Sequence, residues 1–190
     1  DVYKRQINKD MLIGSTVTSI SDNGNAVVGS KPTDLLHVMF TRNKTHVQLR
    51  QVNTDYITGS TQIDEALRKS TLGAIISNQK IQAYNNDSTA IVFDMTGVFL
   101  SDNKKMSPFD RNSIYGMYNR TENYQSDCSY ISQIKAFKDN VSIKSCLSYT
   151  FSVSNSQGAS LIKDRPFTAE MTRSIMLLKD CLLYTSDAAD

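Results

Sequence analysis

Apolar and polar residues alternate along much of this chain, and the alternation predicts a protein made mostly of β-strands. The clearest run is Val141 to Val153. Val141, Ile143, Leu147, Tyr149, Phe151 and Val153 share one parity, and Ser142, Lys144, Cys146, Ser148, Thr150 and Ser152 share the other. A period of two held over that length predicts a strand with one buried face. Phe167 to Leu178 repeats the pattern, with Phe167, Ala169, Met171, Ile175 and Leu177 on one side and Arg173 interrupting that side. Leu35 to Asn53 reads as a hairpin. A two-residue turn at Asn43-Lys44 would set Arg42 opposite Thr45, Phe40 opposite Val47, Val38 opposite Leu49 and Leu36 opposite Gln51. That register gathers Leu36, Val38, Phe40, Val47 and Leu49 on one face. A second hairpin joins Ala74 to Tyr84 with Thr89 to Met95 through the turn-forming Asn85-Asn86-Asp87-Ser88. An earlier strand runs from Met11 to Ile20 and stops at Ser21-Asp22-Asn23-Gly24.

Two short helices fit between the strands. Thr61 to Lys69 opens on Thr61-Gln62-Ile63-Asp64, a capping box with Asp in place of Glu, and carries Ile63, Ala66 and Leu67 as its apolar stripe. Ser129 to Lys138 places Tyr130, Ile134 and Phe137 at helical spacing, with Asp127 or Ser129 as N-cap. Asp102 to Asp127 is polar, contains Pro108 and reads as a long irregular excursion. The expected fold class is α+β, mostly β: antiparallel twisted sheets built from hairpins, with two short helices.

The two ends change which residues belong to that fold. Asp1-Val2-Tyr3-Lys4-Arg5-Gln6 and Cys181-Leu182-Leu183-Tyr184-Thr185-Ser186-Asp187-Ala188-Ala189-Asp190 both read as translations of one sequencing adaptor, from its two strands. On that reading residues 1–6 and 180–190 are adaptor-derived, Asp180 being ambiguous, and residues 7–179 form a single β-rich domain. Setting residues 1–6 and 181–190 aside removes two basic and three acidic residues, which moves the net charge from +2 to +3, and leaves Cys128 and Cys146 as the cysteines. This mild, unclustered positive charge does not predict nucleic-acid binding. No apolar run approaches the ~18 residues that a spanning helix needs.

Candidate chemistry is sparse. His37 and His46 share a hairpin face in the expected register but lie four rungs apart, roughly 13 Å, too far for one zinc ion. Half-exposed strand histidines are the simpler reading. Cys128 and Cys146 could pair in an exported protein, or remain as two small, partly buried thiols. Asp87, Asp94 and Asp102 lack the spacing of a calcium loop. Asp87 fits a turn, and Asp94 fits a solvent-facing or capping position. Gly24, Gly29, Gly59, Gly73, Gly97 and Gly158 stand singly and make no phosphate loop. Tyr84, Tyr115, Tyr118 and Tyr124 could form a platform for a sugar or peptide, or pack in the core and along its edges. No catalytic, cofactor-binding or metal-binding residue is assigned.

One stretch carries more than composition. Ile81-Gln82-Ala83-Tyr84-Asn85-Asn86-Asp87-Ser88 followed by Val92-Phe93-Asp94-Met95-Thr96-Gly97-Val98-Phe99 resembles a segment of large bacterial zinc-dependent metallopeptidases. In that family an I-x-A-Y-N-x-D-S turn and a V-x-D-[VM]-T-x-[VL]-F strand end lie in an uncharacterised domain before the catalytic one. Three further stretches are similar, in the same order. They are Val47-Gln48-Leu49-Arg50-Gln51-Val52, the run from Ser129-Tyr130-Ile131 through Phe137 to Leu147-Ser148-Tyr149, and Ser174-Ile175-Met176-Leu177-Leu178. The likeness spans essentially all of residues 7–179.

The resemblance implies a non-catalytic N-terminal domain of an exported enzyme, packed against a catalytic domain of the same chain and walling its substrate cleft. The H-E-x-x-H zinc site would lie in that following domain. Zinc would therefore be its cofactor, peptide or protein its substrate, and this fragment alone would be inactive. The alternative is a stand-alone β-rich binding or adhesion module for a glycan or peptide, using the tyrosines of Asp102 to Asp127.

Overall fold

The computed structural model describes residues 10–21, 28–52, 73–87, 89–109 and 119–178. They form one curled, eight-stranded antiparallel sheet with the strand order β5-β4-β3-β2-β1-β8-β7-β6. In chain order the strands are β1 (Met11–Ile20), β2 (Leu36–Arg42), β3 (His46–Gln51), β4 (Ile75–Tyr84), β5 (Ile91–Phe93), β6 (Asn119–Ala136), β7 (Asn140–Ser154) and β8 (Ser160–Leu177). Two meanders, β1 to β5 and β6 to β8, are joined where β1 pairs with β8. Between β5 and β6 lie a single helical turn, α1 (Thr96–Phe99), and a 3-10 turn, Lys104–Met106.

The alternation seen in the sequence becomes the two faces of this sheet. Met11, Ile13 and Val17 of β1, Leu36 and Val38 of β2, Val47 and Leu49 of β3, and the odd-numbered residues Ile143 to Val153 and Phe167 to Met171 point to one buried face. The segment after β5 lies against that face and contributes Val98, Phe99, Met106 and Phe109, all buried. Phe109 sits edge-on to Tyr149 with centroids 4.9 Å apart, and packs on Phe167 at 5.2 Å. Among the described residues the core is thus a sheet face closed by a bracket of chain rather than by a second sheet. Burying each such aliphatic or aromatic side chain contributes about 1.5–3 kcal/mol.

Four expectations need correction. Ser129 to Lys138 is not a helix: it lies in β6 and the turn that follows. The pairing between β6 and β7 slips twice, between Gln125 and Tyr130 and again between Ile131 and Gln133. Each extra residue breaks the period of two, so Tyr130, Ile134 and Phe137 mimic a helical stripe. Ser129 Oγ holds the first slip, donating to Gln125 O at 2.8 Å and accepting the Ser148 N–H at 3.0 Å.

The first hairpin is also offset. Arg42 faces Val47, Phe40 faces Leu49 and Val38 faces Gln51, so the turn residues are Lys44-Thr45. Asn43 accepts the N–H groups of Thr45 and His46 through Oδ1, at 2.9 and 2.7 Å, and this favours the position before the turn. The offset is two residues, so each side chain stays on its expected face.

Finally, the excursion expected from Asp102 to Asp127 is strand from Asn119 onward, and β8 begins well before Phe167. The expected helix Thr61 to Lys69, both adaptor-like ends, Tyr115 and Tyr118 lie outside the described residues.

Candidate functional site

The residues singled out by chemistry are scattered across the sheet. His37 Nε2 lies 3.1 Å from Asp10 Oδ2, within ion-pair reach but off a hydrogen-bonding direction. His46 Nδ1 lies 2.8 Å from Thr45 Oγ1, in the β2–β3 turn. Asp94 Oδ1 accepts the Thr96 N–H at 2.8 Å at the start of α1, and bonds from the Thr96 side chain and backbone hold its carboxyl below the usual range. Asp87 accepts a long bond from Thr89, 3.4 Å, in the β4–β5 turn. Cys128 and Cys146 are both free thiols. Cys146 lies against Tyr130 and pushes its phenol up, chiefly through a hydrogen bond. Tyr84 is exposed on β4, whereas Tyr124 on β6 packs edge-on to Tyr149 at 5.5 Å. β4 and β6 are separated by five intervening strands, so the described tyrosines do not make a shared platform. Among the described residues no three His, Cys, Asp or Glu side chains cluster as a metal site would require.

What the fold does bring together is centred on Arg173. This residue is only 2 % exposed, in the middle of the buried face of β8. Its partner across β1 is Ser15 and across β7 is Ile143. Nη1 donates to Phe99 O at 3.2 Å, and Nη2 donates to Met106 O at 3.0 Å and to Met171 Sδ at 3.6 Å. The Phe99 carbonyl ends α1, where helical carbonyls lack partners and a positive charge is favoured. The guanidinium therefore ties both turns of the bracket to the sheet, using the rigid fork that lysine lacks.

The surroundings of Arg173 are unusually under-bonded. Its Nε, the Tyr149 and Tyr124 hydroxyls and Ser145 Oγ are buried without hydrogen-bond partners. Desolvation pushes Arg173 down to about 10, while the nearby Tyr149 and Tyr124 act in the opposite direction. The Tyr149 phenol is pushed far up, first by burial and then by the negative charge of Asp102. The cluster is suited to holding the bracket, and its reactive atoms face the interior. Its sequence signal was the lone cation on the apolar parity of Phe167 to Leu178.

A shallow groove of about 570 Å³ lies beside the bracket, lined by residues 74–76 and 101–105. Asp102 stands at its wall, and Lys105 reaches across to Gln51 Oε1.

Residues 29–181 match the family described as a domain of unknown function (DUF5117), and the chain belongs to that family. No curated protein and no solved structure matches it.

Proposed function

We propose that this DUF5117 domain is a non-catalytic module of an exported, zinc-dependent metallopeptidase. It packs against a catalytic domain that follows it in the same chain and forms one wall of the cleft where peptide substrate binds. The zinc and its H-E-x-x-H ligands belong to that following domain.

The observation that carries this reading is how β8 delivers the chain. Ser174 to Leu178 is the stretch that resembles the last strand before the catalytic domain in those enzymes, and β8 is paired on both sides, with β1 and β7. Its end is pinned twice: Leu177 N–H donates to Asp139 O at 2.9 Å and Leu178 N–H donates to Asp10 O at 2.9 Å. A strand held this way fixes the direction in which a following domain starts, as a wall of a shared cleft requires. The test is to read the coding sequence of the full-length protein beyond residue 179 and to assay the purified product. An H-E-x-x-H helix with zinc-dependent peptide hydrolysis is the expected result. An unrelated domain, or a stop codon, overturns the reading and favours the stand-alone binding module.

A further inference from the structure

The outer face of the sheet is polar over most of its area. Thr16, Thr18, Ser142, Lys144, Thr172 and Glu170 project there, and Glu170 accepts from Thr18 Oγ1 at 2.9 Å and pairs with Lys144 Nζ at 3.0 Å. The last row, at the end where β8 finishes, departs from this pattern. Following the register across four strands and the turn after β6, that row reads His37 on β2, Leu12 on β1, Met176 on β8, Asn140 on β7 and Phe137 beside Asn140. Leu35 folds over the same end. A Cβ added to Gly14 would meet Leu35 Cδ2 at 3.1 Å and Met176 Cε at 3.8 Å, so the absent side chain of Gly14 is what lets Leu35 and Met176 converge. Phe137 is 60 % exposed and Leu35 55 % exposed, next to rows of Ser, Thr and ion pairs, while Tyr130 stands apart on the same face, opposite Cys146. The strip is about 19 Å across at the usual strand spacing. The His37–Asp10 pair borders one end of it.

The geometry points to this strip, Leu12, Leu35, Met176 and Phe137, as the surface on which the polypeptide following Leu178 docks. The inference rests on the reading that a further domain follows β8. The occupant is argued from position. Leu178 leaves the sheet pinned to Asp10, the residue before β1, and its neighbour Leu177 is pinned to Asp139 in the turn that carries Phe137. An apolar centre with a polar margin is also the usual composition of an interface between domains.

The test uses the full-length protein. Hydroxyl-radical footprinting compares Phe137 and Leu35 with Val92 and Leu161, which are similarly exposed on other parts of the domain. The expected result is several-fold slower labelling of Phe137 and Leu35, together with cross-links from Lys138 to the downstream domain of the same chain. Replacing Phe137→Asp should restore fast labelling of Leu35 while the labelling of Val92 stays unchanged. Labelling of Phe137 and Leu35 at the rate of Leu161 overturns the inference even if a zinc peptidase domain is present, which leaves the proposed function standing. Cross-links from Lys138 to a second copy, with concentration-dependent protection, also overturn it. A full-length protein in which no domain follows residue 178 removes the reading on which it rests.

Discussion

Replacing Arg173→Ala tests how the bracket is held. The substitution strips two donors from the buried carbonyls of Phe99 and Met106, bonded at 3.2 and 3.0 Å. A buried acceptor left without a partner costs about 1–3 kcal/mol, and the missing side chain leaves a void beside Met171 that adds to the loss. Against this, removing an unpaired buried charge relieves part of its desolvation. The net expectation is a loss of about 3 kcal/mol for Arg173→Ala. For Arg173→Met, which fills the volume and removes the charge but still leaves both carbonyls bare, it is about 1–2 kcal/mol. Urea unfolding followed by far-ultraviolet circular dichroism reads these as midpoint shifts of about 1–2 M for the alanine variant at an unchanged slope. Hydrogen exchange should speed up locally at residues 96–106 in both variants, because the clamp holds that segment. Unfolding free energies within about 0.5 kcal/mol of the parent, or unchanged exchange across 96–106, would refute the reasoning.

Other substitutions probe other parts of the structure. Tyr149→Phe removes a hydroxyl that is buried without a partner, so stability should hold or rise by up to about 1 kcal/mol; a clear loss in urea unfolding would reveal a bond that the geometry lacks. The Tyr149 phenol is pushed up, so its contribution is present below the ordinary tyrosine range and is lost as pH rises through the folded value; absorbance titration should show one phenol ionising only with alkaline unfolding. Lys144 and Thr18 hold Glu170 below its usual range, so its contribution is present above about pH 4.5 and disappears as pH falls through the folded value. Melting curves for Glu170→Gln should therefore decline less steeply in acid than the parent, by under about 1 kcal/mol given the exposure of the pair. Ser129→Ala leaves the Ser148 N–H without its acceptor and should cost about 1–2 kcal/mol in chemical denaturation, with faster exchange confined to the centre of β6 and β7.

The sequence revealed the strands of this fold more readily than their order. A period of two is a local property, so β1, β7 and the apolar parity of β8 were legible from side chains alone. The pairing of β1 with β8 joins residues 149 to 166 positions apart, and no local pattern encodes it. In β6 two slips in register give the apolar residues a helical spacing, an ambiguity that only the partner strand resolves. The hairpin turn is ambiguous because Asn43 suits a turn centre by residue type, whereas its carboxamide works best just before the turn. Arg173 was visible as an interruption of an apolar face, but its role depends on carbonyls from a segment some 70 residues earlier.

Zinc-dependent peptide hydrolysis, measured side by side on the 190-residue chain and on the full-length protein, tests most directly whether this domain is a wall rather than a catalyst. The full-length protein should bind zinc and cleave peptide, lose that activity to a chelator and regain it when zinc is returned, while the 190-residue chain stays silent with zinc added. Chelator-sensitive hydrolysis by the 190-residue chain itself, or a full-length protein that neither binds zinc nor cleaves peptide, would contradict the account.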